Sequence, residues 1–209
     1  MRTTKHPTPK LSGAMTREQL VAIFHKTRAL QRGHFELASG LHSGHYFQCA
    51  QFLQYPNLAS KVARQLAQRF ASKRPTVVVG PAIGGILIAH EMARALNIRS
   101  FYAERVDAEM QLRRGFSVNK HDRVVVVEDV ITTGESARKV AELVEGLGAK
   151  MIGIGAIVDR SGGNVKFSRW KYEKLLVLDF EHFKPHNCPL CKERVPLTHP
   201  GGLRRRSVV

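Results

Sequence analysis

VVVVEDVITTGES, residues 124–136, sets four consecutive valines ahead of two adjacent acids, Glu128 and Asp129. An unbroken run of β-branched apolar residues is the pattern of a strand buried on both faces, in the middle of a parallel sheet. The acids come where that strand should run out. Val130 and Ile131 follow, then Thr132, Thr133 and Gly134, small residues suited to a tight turn. Glu135 and Ser136 lead into ARKVAELVEGLG, an amphipathic helix.

A phosphate monoester is best held by backbone N–H groups at a helix N-terminus, where small residues allow close approach. Thr132 to Ser136 offer that cradle, with hydroxyls as extra donors. Two acids beside a phosphate would repel it, so they must face something else. Vicinal ribose hydroxyls fit, because carboxylates accept both hydrogen bonds and tolerate a bridging Mg²⁺. The stretch therefore reads as a grip on ribose 5-phosphate. Acids that merely cap the helix would account for Ser136 but not for two carboxylates several residues upstream.

Outward from this stretch, the pattern alternates. Thr16 and Gln19 form a capping-box signature for the helix TREQLVAIFHKTRAL. GHFELASGLHSGHYFQCA predicts two short strands, FEL and YFQCA, about a Gly-Leu-His-Ser-Gly turn. A second helix is expected from Pro56-Asn57 to about Phe70, with Leu58, Val62, Leu66 and Phe70 on one face. TVVVG (76–80) is a strand, PAIGG (81–85) a tight loop, ILIAHEMARAL a helix and RSFYAE (99–104) a strand. Arg105–Gly115 carries no clean period and is expected to be a long loop. KMIGIGAIVD (150–159), SGGN (161–164) and a last strand LLVLDF (175–180) complete the pass. Such alternation predicts an α/β, doubly wound and mostly parallel sheet, with ligands beyond the C-terminal ends of its strands. PAIGG, Arg105–Gly115, EDVITTGES and DRSGG all leave such ends.

The 209 residues, 43% hydrophobic, suffice for one α/β domain. No apolar run approaches the roughly 20 residues of a membrane span, and the N-terminal stretch lacks the apolar centre of a secretory signal. MRTTKHPTPKLSGAM reads as a basic, disordered lead-in (1–15), with Met15 the more natural structural start. Residues 198–209, with RRR at 204–206, read as a basic tail. Cys49, Cys188 and Cys191 cannot complete a disulfide framework and suit a reducing compartment, so the expected location is cytoplasmic. The formal charge of +16 favours polyanionic or phosphorylated partners. Specific nucleic-acid binding is not expected, since no Lys/Arg stripe interleaves with aromatics.

VVVVEDVITTGES closely resembles the phosphoribosyl-diphosphate (PRPP) binding motif of type I phosphoribosyltransferases. GHFELASGLHSGHYFQ resembles the N-terminal signature of their orotate-specific branch, and GPAIGGI its diphosphate-binding loop. VDR with SGG (158–163) resembles the segment whose arginine meets orotate, and ERVDAEMQLRRGF a mobile catalytic loop. The resemblance runs from about Thr16 to Leu197. It implies the type I phosphoribosyltransferase fold, with a small N-terminal hood (16–50) and a core (57–180). It also implies transfer of the 5-phosphoribosyl group from PRPP to orotate, Mg²⁺ bound mainly through PRPP, and a homodimer with shared active sites.

By this resemblance Glu128, Asp129, Val130, Ile131, Thr132, Thr133, Gly134, Glu135, Ser136 and Arg105 bind PRPP. Glu128, Asp129 and Arg105 act in catalysis, while Ala82, Ile83, Gly84 and Gly85 hold diphosphate. Thr132, Arg160 and Phe35 meet orotate, with the Ser39-Gly40 turn beside them. Relatives commonly carry lysines in the mobile loop, the base-side turn and the diphosphate loop. DAEMQ (107–111), Ala38 and Gly84 replace them here. Arg105, Arg113 and Arg114 are the loop's cations, with Arg105 expected to reach the partner subunit's site. Many relatives have glycine in place of Glu135, whose side chain must point away from the phosphate. A purine phosphoribosyltransferase and a PRPP-sensing nucleic-acid-binding regulator are the rival readings.

HFKPHNCPLCKERVPL offers His182, His186, Cys188 and Cys191, ligand types that zinc accepts. All four lie within ten positions, whereas a structural site wants its halves separated by a folded segment. The expectation is a Pro-containing turn with two ordinary thiols and no protein-held metal.

Overall fold

Valines 124–127 are divided between two cores in the computed structural model, which describes residues 14–200. Val125 and Val127 join Val78, and Val124 and Val126 join Val77 and Val79 on the opposite face. Alternation along a strand produces that division, and it demands helices on both sides of the sheet.

The chain begins with helix α1 (Arg17–Lys26), strands β1 (Leu30–Glu36) and β2 (His42–Phe47), and helices α2 (Ala50–Leu53) and α3 (Pro56–Ala71). Then come β3 (Val77–Pro81), α4 (Gly84–Leu96), β4 (Arg99–Val106), β5 (Glu109–Leu112), β6 (Arg123–Ile131) and α5 (Glu135–Gly146). Strands β7 (Lys150–Asp159), β8 (Tyr172–Val177) and β9 (His182–Phe183), helix α6 (Pro189–Lys192) and strand β10 (Leu197–Thr198) finish it. The central sheet has the order β5-β4-β3-β6-β7-β8 and is parallel except for β5. Helices α1, α3 and α4 pack on one face through Phe24, Val62, Leu66, Phe70, Ile88 and Met92. Helix α5 covers the other through Ala137, Val140 and Val144. Val62, Leu66 and Phe70 are fully buried, each contributing about 2 kcal/mol of apolar transfer.

A second sheet, β10-β1-β2-β9, forms the hood. Its two outer strands come from the C-terminal segment, so the hood is built from both ends of the described chain. The expected lead-in and tail lie mostly outside the described residues. Within them, Met15 exchanges two hydrogen bonds with the Gln65 side chain, at 3.1 and 3.0 Å.

Several expectations are corrected. Arg105–Gly115 is not a long loop: β4 continues through Val106 and turns at Asp107-Ala108 into β5. Both turn residues have positive φ, 47° and 69°, as a two-residue type I′ hairpin requires. Ala in that region gives no turn signal, which hid the hairpin. The first helix stops at Lys26, ahead of a positive-φ Arg28, and Ala29-Leu30 joins the hood. The hood strands are longer than FEL and begin earlier than YFQCA, with Cys49 heading α2 instead. The last sheet strand lies at Tyr172–Val177, earlier than LLVLDF.

Candidate functional site

Three of the four predicted loops meet where β3, β6 and β7 end. Beyond β6, Gly134 caps α5 with φ of 75°, and a Cβ there would lie 2.8 Å from Phe167 and 2.9 Å from Val165. Only glycine fits this turn, and it aims the first N–H groups of α5 back toward Thr132 and Thr133. The helix begins at Glu135, two residues earlier than expected, and Thr133 Oγ1 accepts from Glu135 N–H at 3.4 Å. Thr132 and Thr133 are exposed. The Glu135 carboxylate is drawn along the helix to Lys139 Nζ at 3.3 Å, off the helix N-terminus.

Glu128 and Asp129 occupy the last turn of pleat in β6, half-buried. Asp129 Oδ1 accepts the Val130 N–H at 2.8 Å. Burial, with Asp129 beside it, pushes Glu128 up to about 8. Burial also raises Asp129, against the pull of its backbone hydrogen bonds. Two adjacent carboxyls buried together at the edge of an apolar sheet both favour the neutral form, as groups at a binding site often do. Cys49 is nearby, its thiol pushed up by burial and by Asp129.

The PAIGG loop joins the acids directly. A Cβ on Gly84 would come within 2.6 Å of Asp129 Oδ1, and one on Gly85 within 2.9 Å of the Val127 carbonyl. Ile83 is exposed, Ala82 is half-buried, and the Ala82–Ile83 peptide is cis. The bare N-terminus of α4 thus opens beside the acidic turn.

DRSGG is tied in by register. Ile131 pairs with Asp159, and Arg160 N–H donates to Ile131 O at 2.7 Å, so Thr132 and Arg160 are neighbours. Asp159, fully buried, accepts from Ser161 N and Oγ at 2.8 and 2.6 Å and organises the loop that carries Arg160. Burial lowers the Arg160 pKa, with Tyr46 opposing the shift. Tyr46 in turn packs on Phe35, ring centroids 5.7 Å apart. Phe35 itself is 5% exposed and lies over Gly33, so it supports the pocket from within the hood core while Tyr46 faces Arg160. Sequence reasoning missed Asp159 and Tyr46. An acid at a strand end offers a weak signal, and Tyr46, though inside the GHFELASGLHSGHYFQ stretch, carries no signal of its own.

The β4–β5 hairpin holds the remaining expected residue. Arg113 and Arg114 both pair with Glu104, at 3.6 and 2.8 Å. Arg105 is exposed and, among the described residues, has no ion-pair partner. The hairpin tip is bound to the cradle helix, where Lys139 Nζ donates to Ala108 O at 3.0 Å. A cleft between α1 and α3, lined by Met15, Gln19, Ile23, Lys61 and Gln65, shares no residue with this site.

Comparison with known proteins bears on family and fold. The phosphoribosyl transferase domain family matches residues 48–184. The orotate phosphoribosyltransferase of Caldanaerobacter subterraneus subsp. tengcongensis is 48% identical over 190 residues, covering 91% of this chain and 100% of that protein. That of Pelotomaculum thermopropionicum is 49% identical over 190 residues, with coverage of 91% and 100%. The crystal structure of orotate phosphoribosyltransferase from Aeropyrum pernix superposes with a TM-score of 0.64 at 26% identity, covering 76% of this chain and 93% of that one. The Mycobacterium tuberculosis enzyme in complex with PRPP has a TM-score of 0.61 at 22% identity, covering 76% and 96%, a likeness of fold. The chain belongs to the phosphoribosyltransferase family, in its orotate phosphoribosyltransferase branch.

Proposed function

We propose that this protein transfers the 5-phosphoribosyl group of PRPP to N1 of orotate, giving orotidine 5′-monophosphate and diphosphate in pyrimidine synthesis. The observation that carries the reading is the junction of three loops: acidic turn, PAIGG and the Arg160 loop share one edge of the sheet. Orotate phosphoribosyltransferases at 48% and 49% identity over 91% of the chain support the choice of acceptor.

The reaction separates charge. Positive charge grows on the ribose ring while the leaving diphosphate becomes more negative, and stabilising those developing charges lowers the barrier. Glu128 and Asp129 accept the ribose hydroxyls and stand beside the positive ring. Thr132, Thr133, Gly134, Glu135 and Ser136 hold the 5-phosphate through backbone N–H groups and hydroxyls. Val130 and Ile131 set the turn's approach. Ala82, Ile83, Gly84 and Gly85 present N–H groups to diphosphate. Arg160 recognises the planar acceptor with its guanidinium fork, next to Thr132.

Two half-buried carboxyls with raised pKa are hard oxygen donors of the type Mg²⁺ accepts, so the site fits that ion. Bound mainly through PRPP, Mg²⁺ would offset the charge of the leaving group. Glu128 and Asp129 would face it through the ribose hydroxyls. The functional unit is a homodimer in the cytoplasm, with Arg105 reaching the partner subunit's site. No helix among the described residues is long and apolar enough to cross a membrane.

The direct test is consumption of orotate with PRPP and Mg²⁺, run against adenine, hypoxanthine and uracil. Orotate alone should be turned over. Preference for a purine would reassign the acceptor, and PRPP binding without any turnover would favour a regulator.

A further inference from the structure

The C-terminal segment 181–200 crosses the hood with almost no core of its own. Cys188 is the only buried residue in it. Two short pairings, β9 on β2 and β10 on β1, hold it at either end. Twenty residues buried this sparsely gain little to offset the conformational entropy lost on ordering them. Small segments of this kind are commonly stapled by a disulfide or a metal.

A staple of the right chemistry lies at the crossing. His34 and His42, on the two strands of the hood hairpin, converge with Cys188 and Cys191, and their ligand atoms all lie within 4.8 Å of one another. His34 Nε2 is 2.9 Å from His42 Nδ1, 3.5 Å from Cys188 Sγ and 3.8 Å from Cys191 Sγ. Cys191 Sγ is 3.3 Å from His42 Nδ1. Around a tetrahedral zinc with Zn–S of about 2.3 Å and Zn–N of about 2.0 Å, ligand atoms stand roughly 3.3–3.8 Å apart. The other nitrogen of His34, Nδ1, is 2.8 Å from Val195 O. Donation from Nδ1–H to that carbonyl fixes the tautomer that leaves Nε2 a lone pair, the usual orienting bond of a metal-bound imidazole. His34, His42 and Cys188 are 2%, 5% and 1% exposed.

We propose that His34, His42, Cys188 and Cys191 bind a structural zinc ion that rivets the C-terminal segment to the hood hairpin. Thiolates and imidazoles select zinc over Mg²⁺, so this site differs from the catalytic one in chemistry. Two thiols lose their protons on binding, and two thiolates cancel the ion's charge, which suits a site where His34, His42 and Cys188 are buried and Cys191 is exposed. The two halves come from positions 34–42 and 188–191, joined through the whole intervening fold. That supplies the separation which the tail alone lacks. His182 and His186, the other two ligand types in the tail, do not belong to the cluster, and the expectation of two ordinary thiols without a metal is the one this proposal replaces.

The test uses the full chain, purified without added chelator or metal-affinity resin. Elemental analysis should find roughly one zinc per chain. Cobalt(II) exchanged into the protein should give the intense visible bands of a tetrahedral site and a thiolate-to-cobalt charge-transfer band. Cys188→Ser and Cys191→Ser should each lose most of the metal, whereas His182→Ala with His186→Ala should keep it. Stripping zinc with a strong chelator should lower the melting temperature of the wild type and open residues 181–200 to protease. If the cysteine variants do not fold, the metal content and cobalt spectrum of the wild type still decide the matter. Metal-free wild type with two titratable thiols and an unchanged tail would overturn the proposal, as would a Cys188–Cys191 disulfide found by mass.

Discussion

The carboxylate of Asp129 fills the space that any side chain at residue 84 would need, since a Cβ on Gly84 would stand 2.6 Å from Oδ1. Asp129 cannot yield freely, because that oxygen also accepts the Val130 N–H. The PAIGG loop and the acids at the end of β6 are therefore one unit, and the glycine is required by close approach instead of by backbone freedom.

Gly84→Ala should displace Asp129 and weaken PRPP binding while leaving orotate binding intact. Overpacking of this kind costs on the order of 1–3 kcal/mol, or roughly five- to hundredfold in affinity. Calorimetric titration with each substrate measures it, and a melting temperature within a few degrees of wild type would show the effect to be local. Unchanged PRPP affinity would mean that the loop and the acids do not act together.

Glu128 gives a pH dependence with a definite sign. Its pKa rises from 4.5 to about 8 in the folded chain, so near pH 7 the folded state holds a proton that the unfolded state has released. Its contribution to stability is whole below about pH 4.5 and is lost as pH rises through about 8. Between pH 6 and 8, ligand-free protein should lose about 2 kcal/mol relative to Glu128→Gln, which cannot titrate. Urea denaturation of both proteins at the two pH values provides the comparison. Parallel behaviour would place Glu128 in a more solvated setting.

Arg160→Lys keeps the charge and leaves the loop intact, because the loop is tied to Ile131 through the backbone N–H of residue 160. The planar fork is lost, so orotate affinity should fall roughly tenfold or more while PRPP affinity survives. Equal losses for both ligands would make Arg160 a support for the turn.

The parallel sheet and its ligand-bearing edge were legible because four valines and the glycine turns obey rules that depend on nearest neighbours. Thr132 and Arg160 were named from separate motifs, and the Ile131–Asp159 register then made them neighbours. What was hidden depended on contacts distant in sequence. His34 and His42 looked like polar residues of a hairpin until the tail brought two thiols to them. The β4–β5 hairpin was hidden for a local reason, since Ala108 occupies a left-handed position that usually declares itself through Asn or Gly.

That hairpin changes what Arg105 needs in order to act across a dimer. It stands on β4, paired with Met110, on a hairpin whose tip is fastened by Lys139 to α5. An exposed cation on a braced hairpin is presented outward at little entropic cost, while Arg113 and Arg114 are engaged by Glu104. If Arg105 serves the partner subunit's site, Arg105→Ala should slow turnover more than it weakens PRPP binding, because diphosphate gains charge as it leaves. Mixing Arg105→Ala with Asp129→Asn protein sharpens the test. In a heterodimer one site would receive both lesions and the other neither. Random exchange makes about half the dimers mixed, so activity should rise toward about a quarter of wild type. With exchange verified by mass, failure of activity to return would assign Arg105 to its own subunit's site or to no site at all.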